Sequence, residues 1–158
     1  MNTIELKVKR VCDEATLPFY AHESDAGMDL KAVSVEYNDE MDCYIYHTGL
    51  AFKIPDGYMG LLYPRSSNRK TNAYLTNGTG VVDSGYTGEV LLCYKLRDCS
   101  KFIRNDDGTL AVNDLAPYKV GDKIGQLIVM PYPKVKIIEV GELEKTDRGD
   151  NGFGSSGN

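Results

Sequence analysis

The chain has 158 residues and a mass of 17.5 kDa, the size of a single domain. Hydrophobic residues make up 42% and charged residues 26% of the sequence, which is typical of a folded globular protein. Its 18 basic and 23 acidic side chains give a net charge of −5, which argues against nonspecific binding to a nucleic-acid duplex.

The sequence gives no sign of a membrane span or a metal cluster. No apolar run approaches the roughly 18 residues of a spanning helix, and residues 1–10 lack the apolar core of a signal peptide. We therefore expect a cytoplasmic protein without membrane or nucleic-acid partners. The cysteines and histidines lack the clustering of a structural zinc site, and the thiols are expected to stay reduced. They are Cys12, Cys43, Cys93, Cys99, His22 and His47.

Short β-strands dominate the predicted structure. Apolar residues alternate with period two in residues 4–8, 33–37, 50–54, 90–96 and 124–130. Turn-forming residues occupy positions 55–57, 77–78, 106–108 and 120–122, and residues 104–113 are predicted to form an exposed hairpin loop. This spacing predicts an all-β sandwich or barrel of jelly-roll type.

One short helix is predicted at residues 67–74, with Ser66 or Ser67 as its N-cap. Pro64, Arg65 and the two serines place a guanidinium and two hydroxyls at its start, a combination that suits a phosphate. An ordinary N-cap beside a surface arginine explains the same residues, and this segment alone favours that simpler interpretation.

Residues 77–89 form a glycine-rich segment that is predicted to be a hairpin. Its glycines allow tight turns and close approach of a ligand to the main chain, so that backbone groups can read a flat base edge. The segment contains one carboxylate, Asp83, and one aromatic ring, Tyr86. Asp83 is either a general base for water beside bound phosphates or a turn-forming residue, and composition favours neither.

Two polar residues, Asp29 and Gln126, lie at strand positions with apolar neighbours. Each is either a hydrogen-bonding group at a strand end, which is the commoner case, or part of a site.

The last residues, 148–158, differ in composition from the rest of the chain. They contain four glycines from residue 149 onward and no aliphatic side chain, so we expect a mobile tail. The tail carries Arg148, Phe153, Ser155 and Ser156, which suggests a flap that closes over an anionic ligand with a flat ring. Its Gly-x-Gly-x-x-Gly string follows no strand and opens no helix, which argues against a Rossmann site.

Five segments, taken in order, resemble the five motifs of the trimeric dUTPase family. They read AGMDLKA, PRSS, NGTGVVDSGYTGE, GDKIGQLIV and RGDNGFGSSG, and they extend from residue 26 to residue 157. The resemblance implies a homotrimer of distorted jelly-roll (β-clip) subunits, each with one short helix. It further implies a β domain at residues 1–147 and a flexible active-site flap at residues 148–158. The implied reaction is Mg²⁺-assisted hydrolysis of dUTP to dUMP and pyrophosphate, which lowers dUTP and supplies dUMP for thymidylate synthesis.

The resemblance also implies a role for each motif residue. Asp83 is the expected general base, and Tyr86 is expected to lie against the deoxyribose and reject a 2′-OH. Asp29 is expected to support the phosphate–metal region without binding Mg²⁺ directly. The remaining substrate-binding residues are uracil readers on the main chain, phosphate ligands of the body, and residues of the flap. The uracil readers are Asn77, Gly80, Val81 and Val82. The phosphate ligands of the body are Arg65, Ser66, Ser67 and Gln126. The flap residues are Arg148, Phe153, Gly154, Ser155 and Ser156.

The sequence departs from the family pattern in three respects. The last motif lacks a glycine that is often present, Gly85 replaces a frequent acidic residue, and residues 38–47 and 101–113 look longer than the family minimum. Two other functions remain open: a dCTP deaminase of the same fold, and a non-catalytic β-sandwich binding module. The third motif favours the hydrolase over the deaminase.

Overall fold

The structure is a computed structural model that describes residues 3–97 and 115–150. Within these ranges nine strands form two antiparallel sheets, and a 3₁₀ helix occupies Ser66–Lys70. The strands are β1 (Lys7–Arg10), β2 (Met28–Lys31), β3 (Ser34–Asn38), β4 (Cys43–Lys53), β5 (Tyr58–Tyr63), β6 (Ala73–Leu75), β7 (Gly80–Val82), β8 (Glu89–Leu96) and β9 (Lys123–Pro131). No helix in the described part is long and apolar enough to cross a membrane. The all-β prediction is confirmed.

The two sheets pack face to face around the hydrophobic core. One sheet has the order β1-β4-β8-β6, with β3 also paired to β4, and the other has the order β2-β9-β5-β7. Gly125 of β9 lies directly against Leu92 of β8, so the sheets meet closely at this point. The buried residues include Leu30, Leu50, Phe52, Ile54, Leu62, Val82, Leu92, Ile124 and Leu127. This layered antiparallel arrangement is consistent with the predicted jelly roll.

Alternation predicted three of the nine described strands closely, overlapped β1, found only the end of β4, and did not predict β2, β5, β6 or β7. The predictions at residues 33–37, 90–96 and 124–130 correspond to β3, β8 and β9. Residues 50–54 are only the end of β4, which begins at Cys43 and pairs with β1, β3 and β8. Because β4 is buried on both faces, its sequence does not alternate between apolar and polar residues.

The predicted helix is shorter than expected and begins differently. It is a 3₁₀ helix that ends at Lys70, and the N-cap residue is Arg65, without a side-chain capping bond. The side chains of Asn68 and Thr71 hydrogen-bond to main-chain oxygens, of Ala73 and Asn68 respectively, which favours a turn over a continued helix. The chain then enters β6, so the prediction of a helix to residue 74 is wrong.

A cluster of three tyrosines links the core to this helix. Tyr46, Tyr94 and Tyr118 pack edge to face, with ring centroids 5.2 to 5.9 Å apart. Burial raises the pKa of all three phenols, so they stay protonated hydrogen-bond donors. The Tyr118 hydroxyl donates to Asn68 Oδ1 at 2.8 Å and thereby ties the 3₁₀ helix to the core.

The glycine-rich segment crosses between the sheets and is not a hairpin of paired strands. β6 belongs to the five-stranded sheet, whereas β7 pairs with β5 in the other sheet. The predicted turns at Gly57, Gly78 and Gly121 are confirmed, since all three residues have positive φ. The predicted loop at residues 104–113 lies outside the described residues.

Candidate active site

A cleft of about 300 Å³ is lined by residues of β2, β9 and the start of the 3₁₀ helix. Its polar lining includes Asp29, Arg65, Ser66 and Gln126. Sheet register explains this convergence, because Gln126 is directly opposite both Asp29 on β2 and Tyr63 on β5. Arg65 lies two residues after Tyr63 in the sequence. Three motifs that are distant in sequence therefore meet at one end of the four-stranded sheet.

Asp29 is the electrostatic centre of this cleft. The residue is 5% exposed, and its Oδ1 accepts a hydrogen bond from Arg65 Nε at 2.6 Å. Lys123 Nζ lies 2.7 Å from Oδ2, but its orientation does not make a hydrogen bond. A buried carboxylate is stable only when it is neutralised, and here two cations share that task.

Gln126 is held at the cleft by its own amide and by a glycine. Its Nε2 donates to the main-chain oxygen of Pro64 at 3.3 Å. A Cβ on Gly27 would collide with Gln126 Oε1, so a larger residue at position 27 would displace the amide of Gln126. The two predicted serines differ in role: Ser66 is exposed and lines the cleft, while Ser67 Oγ accepts a long bond of 3.4 Å from Arg65 Nη1.

The second group of predicted site residues lies on β7 and the turn that follows it. β7 is an edge strand of its sheet, where Gly80 and Val82 are buried and Val81 is 61% exposed. An edge strand leaves one row of backbone groups available for a ligand. Asp83 is exposed, and its main-chain oxygen accepts from Tyr86 N at 3.0 Å.

The turn after β7 is fixed by several contacts that leave the Asp83 carboxylate in solvent. Lys53 Nζ donates to the main-chain oxygen of Ser84 at 2.9 Å. The Tyr86 hydroxyl donates to the main-chain oxygen of Glu89 at 2.8 Å, and its ring lies close against Gly88. A carboxylate on such a rigid turn is suitably placed to accept a proton from a water molecule.

The two groups are well separated within one chain. Val82 is opposite Gly60 on β5, three residues from Tyr63, the partner of Gln126. At 3.3 Å per residue and 4.8 Å between strands, Val82 lies roughly 10 Å along and roughly 10 Å across the sheet from Gln126. Asp83 follows Val82 and Arg65 follows Tyr63, so these two residues extend beyond opposite ends of paired strands. The fold thus brings Asp29, Arg65 and Gln126 together but does not bring Asp83 to them.

Some predicted residues are not described, and two neighbours of the cleft were missed. Phe153, Gly154, Ser155 and Ser156 lie outside the described residues, whereas Arg148 is described and exposed. Lys123 lies inside the fourth motif, but the sequence predicts no site role for Lys123 or for Phe19. Sequence carried no signal for either, because their significance depends on contacts with Asp29.

Comparisons with known proteins agree on one family. The dUTPase family model matches residues 13–106 and 113–157. The chain is 38% identical to the deoxyuridine 5′-triphosphate nucleotidohydrolase of Clostridium kluyveri, over 98% of this chain and 99% of the relative. A dUTPase mutant of Staphylococcus bacteriophage 80alpha, solved with dUpNHpp, has a TM-score of 0.77 and 30% identity over 98% of this chain and 99% of that one. A mutant dUTPase from phage phi11 of S. aureus, described with a structural Mg(II) ion, has a TM-score of 0.69 and 26% identity over 90% and 100%.

Proposed function

This chain belongs to the dUTPase family, and from that premise we propose how its own residues carry out the reaction. The enzyme is a dUTP diphosphatase that hydrolyses dUTP to dUMP and pyrophosphate. The observation that carries the proposed mechanism is the cleft in which Arg65, Ser66 and Gln126 converge beside the buried Asp29. A guanidinium, a hydroxyl and an amide are suitable donors for phosphate oxygens.

In the proposed mechanism, Asp83 orients a water molecule for in-line attack on the α-phosphorus and accepts its proton. A bond forms between the water oxygen and phosphorus, and the bond from phosphorus to the bridging oxygen breaks, so that pyrophosphate leaves. Arg65, Ser66, Ser67 and Gln126 hold the phosphates. Because hydrogen bonds hold Arg65 and Gln126 in place before the reaction, these two residues stabilise the developing negative charge without reorganisation.

Recognition of the base and sugar is assigned to β7 and the adjoining turns. Asn77 and the main chain of Gly80, Val81 and Val82 read the edge of the uracil ring. The support for this assignment is that β7 is an edge strand whose alternate residues are fixed in the core. Tyr86 is held by its hydroxyl and by Gly88, and its rigid ring leaves no space for a 2′-OH on the sugar.

We propose that Mg²⁺ binds to the enzyme together with the triphosphate. In the described part of the chain, no three His, Cys, Asp or Glu side chains are grouped to hold a metal ion, but Asp25 and Asp29 both line the cleft. Mg²⁺ usually keeps several waters and binds substrate phosphates, so these carboxylates fit as acceptors for the waters of an ion carried by the triphosphate. When bound, the ion neutralises phosphate charge. Asp29 supports this region through water or hydrogen bonds.

We propose that residues 148–158 close over the active site. Residues 1–147 form the catalytic body, and residues 148–158 form a flap over the bound nucleotide. In this assignment Arg148, Ser155 and Ser156 clamp the γ-phosphate side, while Phe153 stacks on the uracil with Gly154 beside it. The support is the composition of the segment, which combines a guanidinium, an aromatic ring and hydroxyls among glycines.

Removal of residues 148–158 is expected to lower kcat/KM for dUTP about a hundredfold or more, since one phosphate clamp and one stacking contact are lost. The melting temperature should change little, because residues 133–150 are exposed and contribute nothing to the core. Steady-state kinetics and thermal unfolding of the truncated protein test this expectation. A variant that lacks only Asn158 is the control. Full activity of the truncated protein would contradict the role of the flap.

We further propose that the active enzyme is a homotrimer with sites shared between subunits. Within one chain Asp83 and Arg65 lie beyond opposite ends of paired strands, although both must reach the same triphosphate. The segment after β9 also exposes an apolar stripe, in which Val135, Ile137 and Leu143 are each at least 80% exposed. Such a stripe marks an interaction surface, and a second copy of the chain is the partner proposed here.

The proposed location is the cytoplasm, where the enzyme lowers dUTP and supplies dUMP for thymidylate synthesis. The described cysteines, Cys12, Cys43 and Cys93, are free thiols, which suits a reducing compartment.

The direct test of the function is product analysis with Mg²⁺ and dUTP, dCTP or UTP in parallel. We expect dUMP and pyrophosphate from dUTP, with little reaction of UTP because Tyr86 excludes the 2′-OH. Release of ammonia from dCTP would indicate a deaminase instead. Binding without turnover of any nucleotide would indicate a non-catalytic module of the same fold.

A further inference from the structure

Beside the cleft lies a cation, Lys123, which contacts the lining residue Asp29 and is not used in the proposed mechanism. Lys123 Nζ lies 2.7 Å from Asp29 Oδ2, on the side of the carboxylate opposite to its bond with Arg65. The pair Asp29–Arg65 alone would be electrically neutral, because the aspartate cancels the charge of the guanidinium. With Lys123 present the three groups carry a net charge of +1, which offsets the second carboxylate of the cleft, Asp25, so that the cleft is not net negative toward a triphosphate.

Lys123 is held in this position by the ring of Phe19. The Nζ atom lies 4.9 Å from the ring centroid, within the range of a cation–π interaction. The main chain of Phe19 is held next to Asp29, because the main-chain oxygen of Phe19 accepts a hydrogen bond from Asp29 N at 2.8 Å. A bulge between Leu30 and Lys31 adjusts the register of β2 and β9 just where Lys123 approaches.

The contact between Lys123 and Asp29 affects how strongly Arg65 can attract a phosphate. It binds Asp29 through Nε and reaches Ser67 through Nη1, and its guanidinium lines the cleft together with Ser66 and Gln126. If Arg65 were the sole cation beside Asp29, the negative charge of Asp29 would offset most of the attraction between the Arg65 guanidinium and the phosphates. A second cation on Oδ2 reduces this competition.

We propose that Lys123, held by Phe19, is a positioning residue that neutralises Asp29 and so directs the charge of Arg65 toward the triphosphate. This inference rests on the proposed role of Arg65 as a phosphate ligand. It requires no contact between Lys123 and the nucleotide.

The test compares the binding of two nucleotides by the full chain with Mg²⁺ present. One is dUpNHpp, in which an NH replaces the oxygen that bridges the α- and β-phosphates, and the other is dUMP. Lys123→Met keeps most of the aliphatic side chain and removes the charge. We expect it to weaken dUpNHpp binding roughly tenfold and dUMP binding roughly twofold or less, as for loss of one charge-assisted contact. The KM for dUTP should rise accordingly, with a smaller change in kcat.

Lys31→Met is the matched control. Lys31 Nζ lies 5.9 Å from the same Phe19 ring, on the strand paired with Lys123, but it makes no ion pair among the described residues. The same substitution there should leave the affinity for dUpNHpp unchanged, and Lys123→Arg should restore most of the binding lost in Lys123→Met. Equal losses for dUpNHpp and dUMP, or an affinity of Lys123→Met equal to that of the wild type, would overturn the proposal.

The variant Arg65→Gln tests the proposed role of Arg65 as a phosphate ligand separately from the proposed role of Lys123. If Arg65→Gln does not weaken dUpNHpp binding, the proposed role of Arg65 itself fails. If it does, Lys123→Met should cause little further loss in an Asp29→Asn background, because Lys123 acts by neutralising the charge of Asp29. Additive losses would mean direct contact with phosphate and would overturn the positioning role. Should Lys123→Met fail to fold, Phe19→Leu replaces it, with an expected selective loss of about threefold for dUpNHpp.

Discussion

Replacing Asp83 with asparagine is expected to lower the turnover of dUTP by about 10²–10⁴-fold, the range for loss of a general base. The amide has nearly the same shape but cannot accept the proton of the attacking water. Affinity for dUpNHpp should remain largely intact, because Arg65 and Gln126, the proposed phosphate ligands, belong to the other group of residues. Single-turnover kinetics and equilibrium binding of the same preparation measure the two quantities separately.

Folding should not be affected by this substitution, which makes the kinetic result interpretable. The Asp83 side chain is exposed, and the described contact of this residue is made by its main-chain oxygen. Asp56→Asn is a suitable control, since Asp56 is also an exposed aspartate in a turn, between β4 and β5. Turnover by Asp83→Asn at the rate of Asp56→Asn would remove Asp83 from the mechanism.

The sequence was most informative where chemistry and local geometry coincide. Glycines at 57, 78 and 121 predicted turns because positive φ is rare for other residues, and each of these turns is present. Alternation predicted β3, β8 and β9 because each has one face on the core. The motif residues Asp29, Arg65 and Gln126 were grouped by resemblance, and the fold brings them to one cleft.

These patterns do not predict which distant segments of the chain lie next to each other. Periodicity indicates which face of a strand is buried, but not which strand lies beside it. The crossover of residues 77–89 between two sheets therefore looked like a hairpin. Similarly, nothing near Lys123 in sequence indicates its contact with Asp29, because that contact depends on the pairing of β2 with β9.

The same limit applies to the position of Asp83 relative to Arg65. From the sequence, both belong to one active site, and no pattern states whether one chain supplies both. The strand register supplies that information, because Arg65 and Asp83 follow opposite ends of paired strands, and Val82 is already roughly 10 Å along and 10 Å across the sheet from Gln126. The site shared between subunits that we propose would resolve this separation.

Two inactive variants are therefore expected to restore activity when they assemble together. Asp83→Asn chains retain the phosphate cleft, and Arg65→Gln chains retain the general base. In a randomly mixed oligomer, a site is complete when its Asp83 comes from an Arg65→Gln chain and its Arg65 from an Asp83→Asn chain, which is about one site in four. Co-expression with two different affinity tags and purification through both tags would yield the mixed oligomers.

The measured quantity is the specific activity of the mixed oligomers, expected at about a quarter of wild type or somewhat more after selection for mixed species. Arg65→Gln mixed with Gln126→Ala is the matched control, because both substitutions damage the same cleft and every site then keeps one of them. That mixture should show only the activity of its separate parents. If Asp83→Asn and Arg65→Gln form mixed oligomers without any recovery, the two residues act within one chain, and a ligand-induced rearrangement of that chain would have to bring them together.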